Sequence, residues 1–280
     1  MHRIDPHIVE SVLAEVLART GLDFTGSNPG LAERRINMRI SETKSANPEE
    51  YCKLLYDSAE EWGQIASLLT INHSLFFRDP LHCYYLSQYI LPEIVRTSSA
   101  ESGSSCRIWS AGCSSGEEPY SISILLKELA KKEKIEIDSQ IFATDIDTES
   151  IARASVAYYK SEKIENAPFG IIQKYFSQKG EEFCLDPEIK KMVKFSLFDL
   201  LDHKSYAPPD SIFGNFDMVL CRNVLIYFDR KYQKIIFNKL YRSLKPNGYL
   251  SLGESEIPVE GFRNKFKRVN ECCKIYKKIS

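Results

Sequence analysis

The first seventy positions carry apolar residues at helical spacing. Ile8, Val12 and Val16 recur at every fourth position, with Val9, Leu13 and Leu17 beside them, which makes one apolar helix face. Gly21 follows as a helix stop. Leu31 to Ile40 predicts a second helix, and Asn47-Pro48-Glu49-Glu50 predicts a capped start with proline in the first turn. Two short helices then run to about Leu69, with no strand pattern anywhere in this stretch. Asp79-Pro80 predicts another capped helix, carrying Leu81, Tyr84, Tyr85 and Tyr89, and the Ser-rich segment Thr97 to Ser105 reads as a linker. From Arg107 the pattern changes. Strands are expected at Arg107–Ser110, Gln140–Thr144 (ending in Asp145), Met192–Phe198, Phe216–Cys221, Tyr249–Leu252 and Glu271–Lys277. Helices are expected from about Glu118 to Lys131, after Asp147 as a cap, and from Arg230 to Leu244. That alternation predicts an α/β domain built on a mainly parallel sheet.

Composition narrows the function more than the fold. The 280 residues carry 37 basic and 38 acidic side chains, a net charge of -1, with 43% hydrophobic residues. Such a chain is neither disordered nor suited to nucleic acid as its main partner, because phosphate binding rests on a basic excess. The balance hides unlike parts: residues 262–280 hold seven basic residues against one acid, while the helical module is acidic overall. No apolar run reaches membrane-spanning length and Met1 to Pro6 lacks a signal pattern, so a cytoplasmic protein without membrane insertion is expected. Eight cysteines occur without a Cys-x-x-Cys pair, which predicts reduced, mostly buried thiols and no metal site. The vicinal Cys272-Cys273 reads as strand packing.

The candidate chemistry lies in Ser110-Ala111-Gly112-Cys113-Ser114-Ser115-Gly116-Glu117-Glu118, between a predicted strand and a helix. Small residues let the backbone turn sharply and let a ligand approach closely. The next strand ends in Asp145, an acid placed to accept hydrogen bonds from ribose hydroxyls. A dinucleotide site wants Gly-x-Gly-x-x-Gly and free helix N-terminal amides for a pyrophosphate. Here only Gly112 and Gly116 are present, and the helix begins with two carboxylates. These disfavour a phosphate and suit a cationic ligand such as S-adenosylmethionine. Glu117 and Glu118 alone would be explained by the helix dipole; the loop before them and Asp145 after them favour the ligand.

These residues belong to a set of ordered motifs that resembles the CheR-type chemotaxis receptor methyltransferases. The set comprises Asn72 to Asp79 (NHSLFFRD), Trp109 to Ser121 (WSAGCSSGEEPYS), Ala143 to Asp147 (ATDID), Cys221 to Asp229 (CRNVLIYFD) and Leu244 to Gly248 (LKPNG). The resemblance implies a Rossmann-like class I methyltransferase domain over residues 72–280, its last strand antiparallel. An N-terminal helical domain would span residues 1–71, and a small antiparallel β-subdomain would be inserted at residues 169–192. In some family members that insertion docks on a receptor tail. The implied cofactor is S-adenosylmethionine, with S-adenosylhomocysteine as product. The family's cofactor contacts fall on Asn72, Ser74, Arg78, Gly112, Glu118, Asp145, Asp199, Leu200, Asn223 and Val224. Ser74 replaces the usual Thr and keeps its hydroxyl. Asp199 replaces a common Asn; it cannot donate a hydrogen bond when ionised, but can accept one from the adenine amino group.

The implied reaction is methylation of glutamate side chains on chemotaxis receptors, whose cytoplasmic helical bundle would be the partner of a monomeric enzyme. A glutamate with a pKa near about 4.3 is already ionised at pH 7, so no general base is required. Arg78, Arg222 and Tyr227 are the catalytic candidates for orienting the substrate carboxylate, against a structural ion pair for Arg222 and core packing for Tyr227. Arg34, Arg35 and Arg39 form a basic stripe for receptor docking, against a plain solvated helix face. Competing readings are a related methyltransferase acting on another protein or a small molecule, and a non-catalytic module that binds S-adenosylmethionine.

Overall fold

A computed structural model describes residues 4–20, 24, 29–69, 74–100, 105–202, 204–211 and 214–279. The chain forms two compact units, one of Met1–Ile71 with Leu225–Gln233 and one of Asn72–Val224 with Lys234–Ser280. The first holds helices Pro6–Thr20, Pro29–Glu42, Pro48–Asp57 and Ala59–Leu69. Val12, Val16, Ile36, Tyr51, Leu55 and Ile65 fill its core, which is the apolar face that the four-residue spacing predicts. Asn47 caps the third helix by accepting from the Glu50 N–H at 2.8 Å. The expected stop at Gly21 lies outside the described residues.

The described residues of the second unit form ten strands: β1 (Cys106–Ala111), β2 (Ser139–Asp145), β3 (Tyr158–Lys160), β4 (Phe176–Lys179), β5 (Glu182–Leu185), β6 (Val193–Leu197), β7 (Phe216–Cys221), β8 (Leu244–Leu252), β9 (Phe266–Arg268) and β10 (Ile275–Lys278). Seven form one sheet in the order β6-β2-β1-β7-β8-β10-β9. Pairing is parallel from β6 through β8, and β10 and β9 run antiparallel. Every residue of β7 is buried, as expected of a central strand covered on both faces. β3, β5 and β4 form a separate antiparallel sheet. Its strand β3 precedes the 169–192 segment, and the three residues of β3 carry too little alternation to be read as a strand.

Two local expectations are corrected. The helix Leu91–Ala100 runs through the first part of the expected Thr97–Ser105 linker. Thr97 bonds back to the Glu93 carbonyl at 2.9 Å and buried Ser98 reaches Asp217, so the hydroxyl-rich composition serves helix packing there. Cys272 and Cys273 sit in a bend ahead of β10 instead of in a strand, held by Cys273 N–H on Asn270 Oδ1 at 2.6 Å. All eight cysteines are free thiols, and burial pushes those of Cys113 and Cys221 well above their ordinary values. Among the described residues no helix is long and apolar enough to cross a membrane.

Candidate functional site

In a parallel sheet the C-terminal strand ends and the point where strand order reverses make a crevice. Here that point is β1, flanked by β2 on one side and β7 on the other. The loop after β1 is tied to β2: the N–H groups of Gly112 and Cys113 both reach the Thr144 carbonyl, at 2.8 and 2.9 Å. Gly112 has φ +77°, and a Cβ there would lie 2.5 Å from Val224 Cγ2. The loops after β1 and β7 therefore touch, which brings Gly112, Asn223 and Val224 together. Tyr159 of β3 braces the same loop by donating to the Ser115 carbonyl at 2.8 Å.

Asp145 ends β2 with a buried carboxylate that accepts from the N–H of Ser114 at 2.7 Å and of Asp147 at 3.0 Å. Burial pushes its pKa up, against those N–H bonds. Two buried polar atoms on the rim, Ser114 Oγ and Asn223 Oδ1, have no hydrogen-bond partner among the described residues. Such orphans mark places where a ligand can complete the bonding.

The two acids that open the helix Glu117–Glu133 separate. Glu117 is fully buried with Lys163 Nζ 3.3 Å away. Glu118 accepts from Ser110 Oγ at 2.7 Å on one oxygen and lies 3.5 Å from Arg222 Nη1 on the other. Burial raises the pKa of Glu118, and Arg222, Ser110 and Arg78 counter it in that order of effect. Arg222, almost fully buried, also pairs with Asp79. This corrects the reading of Asp79 as a helix cap: it has φ +59° and makes no side-chain cap bond, its carboxylate being engaged by Arg222. Phe77, at φ +51°, brackets Arg78 from the other side. Two left-handed residues around one arginine are a strained segment of the kind that clusters at functional sites.

The remaining candidates divide. Ser74 offers its carbonyl to Lys163 Nζ at 2.9 Å, and burial pushes the pKa of Glu117 up with Lys163 and Ser74 among the groups that oppose it. Asp199 and Leu200 follow β6, and Asp199 Oδ1 accepts from the Leu201 N–H at 2.8 Å, so part of its capacity is spent on its own turn. Asn72 lies outside the described residues. Tyr227 is half-buried on a single 3-10 turn, Leu225–Tyr227, in the first unit. In that unit Arg34 is exposed and Arg35 half-buried, while Arg39 is turned inward, bonding Glu61 through Nε at 2.8 Å and pairing with Glu42 at 2.6 Å. The stripe of three is thus one exposed arginine, one half-buried with its Nε covered, and one structural ion pair.

One residue of the site escapes the sequence reading. Glu256, buried, accepts three backbone N–H groups: Gly253 at 2.6 Å, Val224 at 2.9 Å and Asn223 at 3.0 Å. It fixes the loop after β7 from 32 positions away in sequence. The signal available was an acid shortly after a strand-ending glycine, which by itself does not name a partner.

The family model for the CheR methyltransferase all-alpha domain matches residues 9–70, and the one for the CheR methyltransferase SAM binding domain matches residues 72–275. A chemotaxis protein methyltransferase of Borreliella burgdorferi is 34% identical over 87% of this chain and 85% of its own length. A chemotaxis protein methyltransferase Cher2 of Pseudomonas putida is 38% identical over 69% of this chain and 68% of its own, and chemotaxis protein methyltransferase 2 of Vibrio cholerae is 33% identical over 85% and 81%.

Proposed function

This chain belongs to the CheR methyltransferase family, enzymes that use S-adenosylmethionine, and we propose that it esterifies glutamate side chains on the cytoplasmic helical bundle of chemotaxis receptors, acting as a cytoplasmic monomer. The observation that carries the reading is the half-buried carboxylate Glu118, kept among Ser110, Arg222 and Arg78 beside the crevice at β1. An anionic group there fits a ligand with an ammonium group, and Asp145 with the orphaned Ser114 and Asn223 oxygens fits its ribose. Residues 1–71 form the receptor-facing domain and residues 72–280 the catalytic domain in this proposal.

When bound, S-adenosylmethionine supplies an electrophilic methyl group on a sulfonium. The receptor carboxylate is ionised at neutral pH, so the protein's task is alignment and exclusion of water instead of proton removal. Alignment of this kind lowers a barrier by roughly 7–11 kcal/mol. Glu118 would hold the cofactor's amino-acid end and Asp145 its ribose, with Ser74, Gly112, Asn223, Val224 and Leu200 shaping the walls. Arg222 spends its guanidinium on Asp79 and Glu118, which makes it a positioning residue that opposes the rise burial imposes on the Glu118 pKa. Arg78 takes the orienting role toward the substrate carboxylate, and Tyr227 enters that role from the family motif alone.

The test uses methyl-labelled cofactor with membranes carrying candidate receptors. Base-labile label on receptor glutamates is the expected result. Binding of S-adenosylhomocysteine without any labelled receptor, across the candidates tried, would instead favour a non-catalytic module.

A further inference from the structure

Lys239 is buried, yet it is a lysine. Burial lowers its pKa to about 8, with the nearby Asp202 and Asp199 opposing that fall. Folding therefore works against its charge, and an unbranched apolar side chain would fill the same space without that cost. What the ammonium adds is bonding. Its Nζ donates to the carbonyls of Asp202 at 2.6 Å and Asp199 at 3.2 Å, and it rests 4.4 Å over the Phe198 ring. Those carbonyls are the two ends of the tight turn after β6, which is closed by Asp202 N–H on the Asp199 carbonyl at 3.1 Å and by Leu201 N–H on Asp199 Oδ1. The turn hangs from the ribose-side acid as well, since Phe198 N–H reaches the Asp145 carbonyl at 2.9 Å.

We propose that Lys239 is a positioning residue for the adenosine half of the cofactor: by bonding both ends of the Asp199–Asp202 turn it sets the place of Leu200 against the base. This rests on the reading that Asp199 and Leu200 face adenine. Lys239 touches no reacting atom, so its removal acts on binding and leaves the chemical step alone. It also acts on one end of the ligand only. Glu118, at the crevice beside β1, serves the amino-acid end and is untouched by it.

The experiment is calorimetric titration of the full chain with S-adenosylhomocysteine and with 5′-methylthioadenosine, which has the adenosine but no amino-acid group. Lys239→Met is expected to raise both Kd values by the same factor, about tenfold for the loss of two charge-assisted bonds. In receptor methylation its KM for S-adenosylmethionine rises while kcat stays within about twofold. A merely structural role would move kcat through the active fraction and would not keep the two ligands in step. Lys239→Gln, neutral but still an N–H donor, is the second variant should the first fail to fold, and it falls between the two. Wild-type affinity in the Lys239 variants together with a loss in Leu200→Ala overturns the role of Lys239 and keeps the adenine reading. Wild-type affinity in all of them overturns that reading and the proposal with it. A loss for S-adenosylhomocysteine but not for 5′-methylthioadenosine also overturns the proposal, because the effect would lie at the wrong end.

Discussion

Glu118 and Glu256 show how one side-chain type does two jobs in one crevice. Burial pushes the pKa of Glu118 up, and Arg222, Ser110 and Arg78 oppose that rise; in the proposed function its free lone pairs face the ligand. Glu256 spends its oxygens on three backbone N–H groups and so shapes the loop after β7. Replacing it tests that difference. Glu256→Gln puts an N–H donor where an acceptor stood, so at least one buried N–H of Gly253, Asn223 or Val224 loses its partner. The expected loss is about 1–3 kcal/mol in urea unfolding, with weaker S-adenosylhomocysteine binding by calorimetry; unchanged affinity would mean that the loop holds its shape without the carboxylate. At this scale the sequence was a partial guide. Glu118 and Asp145 were legible because each sits at a fixed offset from a strand end, where topology assigns a role. Glu256 and Lys239 were not, because their meaning lies in carbonyls and N–H groups of distant loops. Asp79 was misread because Asp-Pro is a strong capping signal, and only the tertiary partner Arg222 diverts its carboxylate.

The loop between β1 and its helix works through backbone shape more than through side chains. Gly112 has φ +77° and no room for a Cβ, which would meet Val224 Cγ2 at 2.5 Å. Gly180, at the β4–β5 hairpin, has φ +64° with open space around it. The pair separates two costs. Gly180→Ala carries only the left-handed backbone penalty, about 1–2 kcal/mol. Gly112→Ala carries that penalty plus displacement of Val224, so it is expected to be the less stable of the two in urea unfolding and the only one to lose S-adenosylhomocysteine affinity. Equal stability and intact binding in both would show that Val224 yields freely. The elements that position this loop were legible where they were long: β1, β2, β7 and the helix Glu117–Glu133 follow from apolar runs and caps. β3 and β9, three residues each, were not, because so short a strand is set by its pairing partner and shows no period of its own. The Ser-rich end of the helix Leu91–Ala100 was misplaced for the opposite reason: hydroxyls that favour loops in isolation can bond back to helix carbonyls.

At the scale of the molecule, the change from helical spacing to strand–helix alternation near residue 107 made the two kinds of structure visible before any coordinates. Net charge did not show what each part is for. Residues 1–71 hold eleven acidic and seven basic side chains, so this unit repels an acidic receptor unless its cations are gathered on one face. Of the arginine stripe, exposed Arg34 and half-buried Arg35 remain for that. Arg39 is committed to Glu61, whose carboxylate also accepts from Tyr51 Oη at 2.9 Å in the core of the unit. Burial and Glu61 push the Tyr51 phenol up, so it remains a donor and cannot replace the cation. The three arginines should therefore fail in different ways. Arg39→Ala leaves a buried carboxylate uncompensated and is expected to destabilise the helical unit by roughly 3–5 kcal/mol, seen as an earlier thermal transition. Arg34→Ala with Arg35→Ala is expected to keep the fold and S-adenosylhomocysteine affinity while raising the KM for receptor severalfold at low salt. Because exposed charges more than about 10 Å apart are largely screened at 0.1 M salt, that KM difference from the unmodified chain shrinks as salt is added. A double variant with the ordinary KM at low salt would remove the docking role from this face and leave receptor recognition to other surfaces of the chain.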